Sequence, residues 1–231
     1  MPFLLPIDSL YLIMVLPTLV LSLWAQYKVS STFNKYSKVM CSKRISGREA
    51  AAAILKSNSI NDVAVEAVSG SLTDHYDPRS KKLRLSQPVF SQSSIAALGV
   101  AAHEAGHALQ HASGYGPLIL RSTLVPVANI GSRFGPIMAM IGLFMQADPL
   151  LNIGIVLFAG AVLFYLITLP VEFNASSRAL AFLKSENMLT NRELEGAKKV
   201  LTAAAMTYVA SALTAVMSLL RLILLSRGRR R

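Results

Sequence analysis

Apolar positions fall in long runs separated by short polar blocks. The first run covers about 3–27, with one acid, Asp8, near its start and prolines at 2, 6 and 17. Residues 9–26 are long enough to cross a bilayer, with Trp24 and Tyr27 as interfacial anchors. No basic region precedes the run and no small-residue cleavage site follows it, so it reads as an uncleaved anchor. Two more runs, 124–145 (interrupted by Arg133) and 150–170, flank Gln146-Ala-Asp-Pro149, which is short enough only for a hairpin tip. Glu172 is expected to open a polar helix ending near Asn187. Thr190-Asn-Arg-Glu193 is a capping box starting a helix that turns apolar over 200–225, apart from Arg221.

The block between the first and second runs changes period. Ser46-Gly-Arg-Glu49 is a capping box that predicts a helix over 47–57, with Asn58 as its stop. Residues 63–68 read as a short strand ending at Ser69-Gly70. Asp74-His-Tyr-Asp-Pro78 has turn chemistry and makes His75 a turn residue. Residues 81–86 alternate, with Leu83 and Leu85 on one face and Lys82 and Arg84 on the other. Ser93 or Ser94 can cap a helix running to about Ala112, with Gly114 beyond it. The expected organisation is an anchor at 1–27, a small α+β domain at 28–117, a transmembrane hairpin at 118–171, a polar helical segment at 172–200, and an apolar helix with a basic tail at 201–231. The fold class is a mainly α membrane protein.

Composition supports that class. Of 231 residues, 53% are hydrophobic and 15% charged, with a mean hydropathy of +0.47. A soluble domain carries about 25% charged residues, so an ordinary cytosolic domain and a disordered chain are both excluded. The net charge of +11 does not point to nucleic acid, because its basic residues flank the apolar runs, six of the 23 Lys/Arg falling in 28–48. That block and 172–199 both lie on the cytoplasmic side if 124–170 is a hairpin. The last helix is ambiguous: a full crossing carries the four arginines of the tail outside against the positive-inside rule, and the alternative is a helix that only dips into the interface. The tail suits anionic lipid. The lone cysteine, Cys41, excludes a disulfide framework and a four-cysteine zinc site and fits a reducing compartment.

The chemistry concentrates at His103-Glu-Ala-Gly-His107. Helical residues four apart are offset by about 40° and about 6 Å, so both imidazoles share a face and can reach one Zn²⁺ at about 2.0–2.1 Å. Glu104 lies beside that face, where it can hold a water and take its proton. Two histidines filling a core is the plainer alternative, but three of the four histidines in the chain stand at 103, 107 and 111. His111 lies about 6 Å beyond His107, too far to share the ion, and is expected at the helix end or behind a ligand. The longer three-histidine zinc pattern fails at Gln110 and Ser113. Glu172 is the candidate third ligand, brought back to the same membrane side by two crossings; the alternative is a solvated acid at a helix start.

His103-Glu-Ala-Gly-His107, a hydrophobic hairpin and Glu172-Phe-Asn-Ala-Ser176 together resemble the gluzincin membrane proteases of the HtpX and CAAX-prenyl-protease type. Asp74-His-Tyr-Asp-Pro78, Leu83-Arg-Leu-Ser86, Val100-Ala-Ala-His-Glu-Ala-Gly-His-Ala-Leu-Gln110 and Ala203-Ala-Ala-Met-Thr-Tyr-Val-Ala210 are similar to the small bacterial YugP-type zinc metallopeptidases over nearly the whole chain. The resemblance implies a zincin-like catalytic domain, one Zn²⁺ held by His103, His107 and Glu172, Glu104 as base, protein or peptide substrates, and an integral location in the bacterial plasma membrane. One departure stands out: HtpX-like enzymes place an Asp four residues after the Glu to orient a zinc histidine, and this chain has Ser176. Asn174 and Ser176 are the candidates to replace it.

Other residues divide between roles. The 81–86 strand either receives an extended substrate by strand addition or is plainly structural. Arg133 is either a functional intramembrane charge or an arginine beside a helix break at Gly131 or Gly135. Tyr208 and Arg178 are candidate oxyanion donors. The rival functions are a non-catalytic membrane scaffold whose structural zinc has four protein ligands, and a transporter, for which 150–170 offers almost no polar lining.

Overall fold

In the computed structural model, which describes residues 8–229, a single π-helical stretch, Tyr11–Val15, leads into α1, Leu16–Ser37. Residues 1–7 of the expected anchor and the last two arginines of the tail lie outside the described residues. There follow α2 (Gly47–Ser57), β1 (Ala64–Val68), β2 (His75–Asp77), β3 (Lys82–Ser86), α3 (Gln87–Ser91), α4 (Ile95–Ala112), α5 (Gly116–Phe144), α6 (Asp148–Ser185) and α7 (Asn191–Arg229). Among the described residues, four helical stretches are long and apolar enough to cross a membrane: Tyr11–Ser37, Gly116–Phe144, Asp148–Ser185 and Asn191–Gly228. The protein is mainly α and of membrane type, with one small sheet.

The chain resolves into two compact units. One comprises Tyr27–Ile119 and Val171–Met206, the other Met1–Gln26, Leu120–Pro170 and Thr207–Arg231. In the first, the caps fall where the sequence put them. Ser46 accepts from the Glu49 N–H while the Glu49 side chain accepts from the Ser46 N–H, and Ser94 Oγ accepts from the Ala97 N–H at 3.1 Å. The strands order β1-β3-β2, with β1 parallel and β2 antiparallel to β3. Leu83 and Leu85 are fully buried from β3, meeting Ile54 of α2 and Leu98 of α4 in one core.

The structure bears on two of these readings. β3 is the central strand, paired with β1 over 82–86 and with β2 over 82–84, so most of 81–86 is already paired on both sides, which favours the plain structural reading. His75 is not a turn residue: it is the first residue of β2 and pairs with Arg84, because the turn chemistry of Asp77-Pro78 acts after the strand.

In the other unit, α5 and α6 meet through small residues. A Cβ on Gly131 would lie 2.1 Å from the Leu157 carbonyl oxygen, and one on Gly154 would lie 2.3 Å from the Ala139 nitrogen. Without a strong hydrophobic drive between helices in lipid, close backbone approach supplies the contact. The expected helix break beside Arg133 is therefore absent: α5 runs unbroken through Gly131 and Gly135, and these glycines serve packing. Arg133 is exposed, its guanidinium 5.8 Å from the Phe134 ring centroid. From α7, Arg221 donates to both carboxylate oxygens of Asp8, at 3.2 and 2.9 Å, and lies over the Tyr11 ring.

Glu172 does not open a helix. It lies inside α6, which continues through Pro170. A proline interrupts one rung of the ladder at roughly 3 kcal/mol, and a 38-residue helix retains enough rungs on either side to run on.

Candidate metal centre

Small residues crowd α4 on most of its surface. Ala96, Ala97, Ala101, Ala102, Ala105 and Ala108 are all 0–1% exposed. Burial on those sides leaves a stripe carrying His103 and His107, whose side chains are 13% and 12% exposed and whose rings stand edge to face at 4.7 Å. Gly106 admits α6 to this stretch: a Cβ there would lie 2.9 Å from the Ala175 carbonyl oxygen. That approach delivers Glu172, 3% exposed, three residues earlier on α6.

Glu172 Oε2 lies 3.3 Å from His103 Nε2 and 3.7 Å from His107 Nε2. Among the described residues, one group of three metal-ligating side chains lies within 4.8 Å of one another, and it is His103, His107 and Glu172. Ligand atoms about 2.0–2.1 Å from a tetrahedral zinc stand roughly 3.3–3.5 Å apart, so these donors fit that ion in type and spacing. A zinc ion held by these three donors would keep a fourth position for water or substrate.

The rear nitrogens are also engaged. Ser176 Oγ lies 3.1 Å from His103 Nδ1. His107 Nδ1 lies 3.0 Å from Gln110 Oε1, and Gln110 is fully buried. The Gln110 amide nitrogen donates to the Val171 carbonyl at 2.8 Å and to Asn174 Oδ1 at 3.0 Å. Sequence reasoning read Gln110 only as a failed zinc position. The available signal was a lone amide in an alanine-rich helix, one turn after a histidine.

Glu104 is 8% exposed on the same helix. Burial opposes charge on His107, but the Glu172 and Glu104 carboxylates beside it prevail and raise its pKa above the ordinary histidine value. Burial pushes the Asp74 carboxyl up, against the pull of the Ser86 N–H and hydroxyl, and the Glu104 charge adds to the rise. His111 stands outside the cluster, its Nδ1 2.9 Å from the Tyr76 hydroxyl. The Arg178 guanidinium donates to Asn174 Oδ1 at 2.9 Å and lies over the Tyr115 ring. Tyr208 is on α7 and 38% exposed.

A family described as "Putative neutral zinc metallopeptidase" matches residues 11–227. The chain belongs to that family. A relative from Bacillus subtilis (strain 168), described as "Putative membrane protease YugP", is 50% identical over 216 residues, covering 94% of this chain and 96% of the relative. No solved structure matches. Membership in a zinc-peptidase family implies zinc as the metal, in agreement with a donor set of two imidazoles and one carboxylate. For this member of the family, the apolar helices and the relative's description agree on a membrane protein.

Proposed function

We propose that the protein is a zinc-dependent endopeptidase embedded in the bacterial plasma membrane in several passes, of the gluzincin kind, cleaving membrane or membrane-proximal proteins at a site facing the cytoplasm. His103, His107 and Glu172 hold one zinc ion, and Glu104 is the general base. The observation that carries this reading is the convergence of Glu172 Oε2 on the two Nε2 atoms at 3.3 and 3.7 Å. Bound there, zinc supplies Lewis-acid polarisation of the scissile carbonyl and lowers the pKa of the attacking water. Glu104 takes the water proton on its carboxylate and passes it to the departing amine nitrogen.

The segments 28–117 and 172–200 form the catalytic part, while 1–27, 118–171 and 201–231 form the membrane part. The two compact units support this division. The basic residues of 28–48 and 172–199 favour the cytoplasmic side, and the basic tail suits anionic lipid.

The test uses purified full-length protein in detergent, with labelled casein as the substrate probe and metal content measured in parallel. Glu104→Gln should keep one zinc per chain and lose about 10²–10⁴ of the cleavage rate. His103→Ala and Glu172→Ala should lose the metal. Undiminished cleavage by Glu104→Gln, or full zinc content in Glu172→Ala, refutes the reading. A closed structural site would need a fourth protein ligand, and the cluster among the described residues has three.

A further inference from the structure

We infer that Gln110 is a positioning residue that dictates which ring nitrogen of His107 faces the metal, an inference resting on the zinc reading above. Two groups around Gln110 have fixed hydrogen-bonding roles. The Val171 carbonyl can only accept a hydrogen bond, and it lies 2.8 Å from the Gln110 amide nitrogen. The Arg178 guanidinium can only donate, and its Nε lies 2.9 Å from Asn174 Oδ1. Arg178 therefore holds the oxygen end of Asn174 inward, where it accepts the second Gln110 hydrogen at 3.0 Å.

With both amide hydrogens committed, the Gln110 oxygen is the end that meets His107 Nδ1 at 3.0 Å. An amide oxygen accepts, so Nδ1 must carry the proton. In a neutral imidazole the lone pair then sits on Nε2, the atom facing Glu172. Turning the amide over would set Gln110 Oε1 against two acceptors, the Val171 carbonyl oxygen and Asn174 Oδ1, in a fully buried place, and would lose both hydrogen bonds of the amide nitrogen.

His103 is held differently. Its Nδ1 meets the Ser176 hydroxyl, which can donate or accept and leaves the tautomer open. The chain thus compensates for the serine at 176 by locking the other histidine. α6 supplies both parts, since Glu172 lies between Val171 and Asn174 in sequence.

The test needs no substrate. In zinc-free full-length protein labelled with ¹⁵N-histidine, in detergent at a pH where His107 is neutral, long-range ¹H–¹⁵N spectra should show the His107 proton on Nδ1. An Nε2–H tautomer overturns the inference directly, in the wild-type protein. Gln110→Met keeps the chain length and removes the amide. It should mix the His107 tautomers and weaken zinc binding, measured by chelator competition, by roughly 10–100-fold. Ser176→Ala should weaken zinc binding less than Gln110→Met does, and Asn174→Ala should give an intermediate loss. A folded Gln110→Met protein that binds zinc like wild type also overturns the inference. If Gln110→Met does not fold, the wild-type tautomer alone decides. Failure of the zinc reading is distinguishable, because His103→Ala would then leave metal content unchanged whatever the tautomer of His107.

Discussion

Gly106→Ala tests whether close approach of α6 to α4 is what assembles the donor set. The new Cβ would lie 2.9 Å from the Ala175 carbonyl oxygen, about 0.5 Å inside the 3.4 Å at which ordinary contact begins, and that oxygen belongs to backbone that cannot rotate aside. Overpacking of this kind costs about 1–3 kcal/mol. Alanine is also the better helix former by about 1 kcal/mol, so the net change should be a loss of roughly 0–2 kcal/mol. Gly99, two turns earlier on α4, is the internal control. Its Cβ would meet the Ala197 side chain at 3.5 Å, an ordinary contact, so Gly99→Ala should gain stability by about 1 kcal/mol. The two variants make the same chemical change in one helix and should differ by roughly 1–3 kcal/mol. Thermal unfolding in detergent measures that difference. The Gly106 variant should also bind zinc at least about tenfold more weakly, because a shift near 0.5 Å exceeds the roughly 0.2 Å tolerance of metal–ligand distances. If Gly106→Ala is as stable as Gly99→Ala and binds zinc like wild type, the packing argument is wrong.

Three further outcomes are expected. Arg221→Met removes a bidentate pair to Asp8, whose side chain is 30% exposed and stays partly hydrated, so unfolding should show a loss of about 1–3 kcal/mol. An unchanged transition temperature would mean that the pair does not tie the start of the N-terminal helical stretch to α7. Ser46→Ala should cost about 1 kcal/mol through loss of the α2 cap, with Ser46→Gly costing less; equal losses would contradict the capping account. Zinc loading should weaken as pH falls, because the His107 proton competes with the metal and its pKa is raised in the zinc-free protein. The same raised pKa makes the zinc-free fold gain stability below the unfolded histidine value and lose it as pH rises through the folded one. A flat chelator-competition profile between pH 8 and pH 6 would refute that competition.

Much of the molecule was legible in one dimension because the physics involved is local or periodic. Run length against bilayer thickness marked three apolar spans and a fourth apolar helix, 200–225, whose crossing it left open, and the boxes at Ser46 and Thr190 marked where helices begin. A spacing of four put His103 and His107 on one face without any knowledge of the fold. Where the local rules failed, a neighbour had overruled them. Glu172 was expected to open a new helix after the 150–170 run, yet α6 runs on through Pro170 and past it. Gly131 and Gly135 looked like a break beside Arg133 until α6 was seen packed into them. The alternation of 81–86 correctly indicated a strand, but its central place depended on where β1 and β2 paired.

By itself, then, the sequence placed the two imidazoles on one face with Glu104 beside them and marked the apolar runs, since each follows from spacing along one helix or from run length. Only the tertiary structure decided that Glu172 meets those imidazoles, and that Gln110, Asn174 and Arg178 stand behind His107. Contacts between residues some 60 to 70 positions apart are set by how closely two helices approach, and that distance is a property of packed surfaces rather than of any stretch of chain.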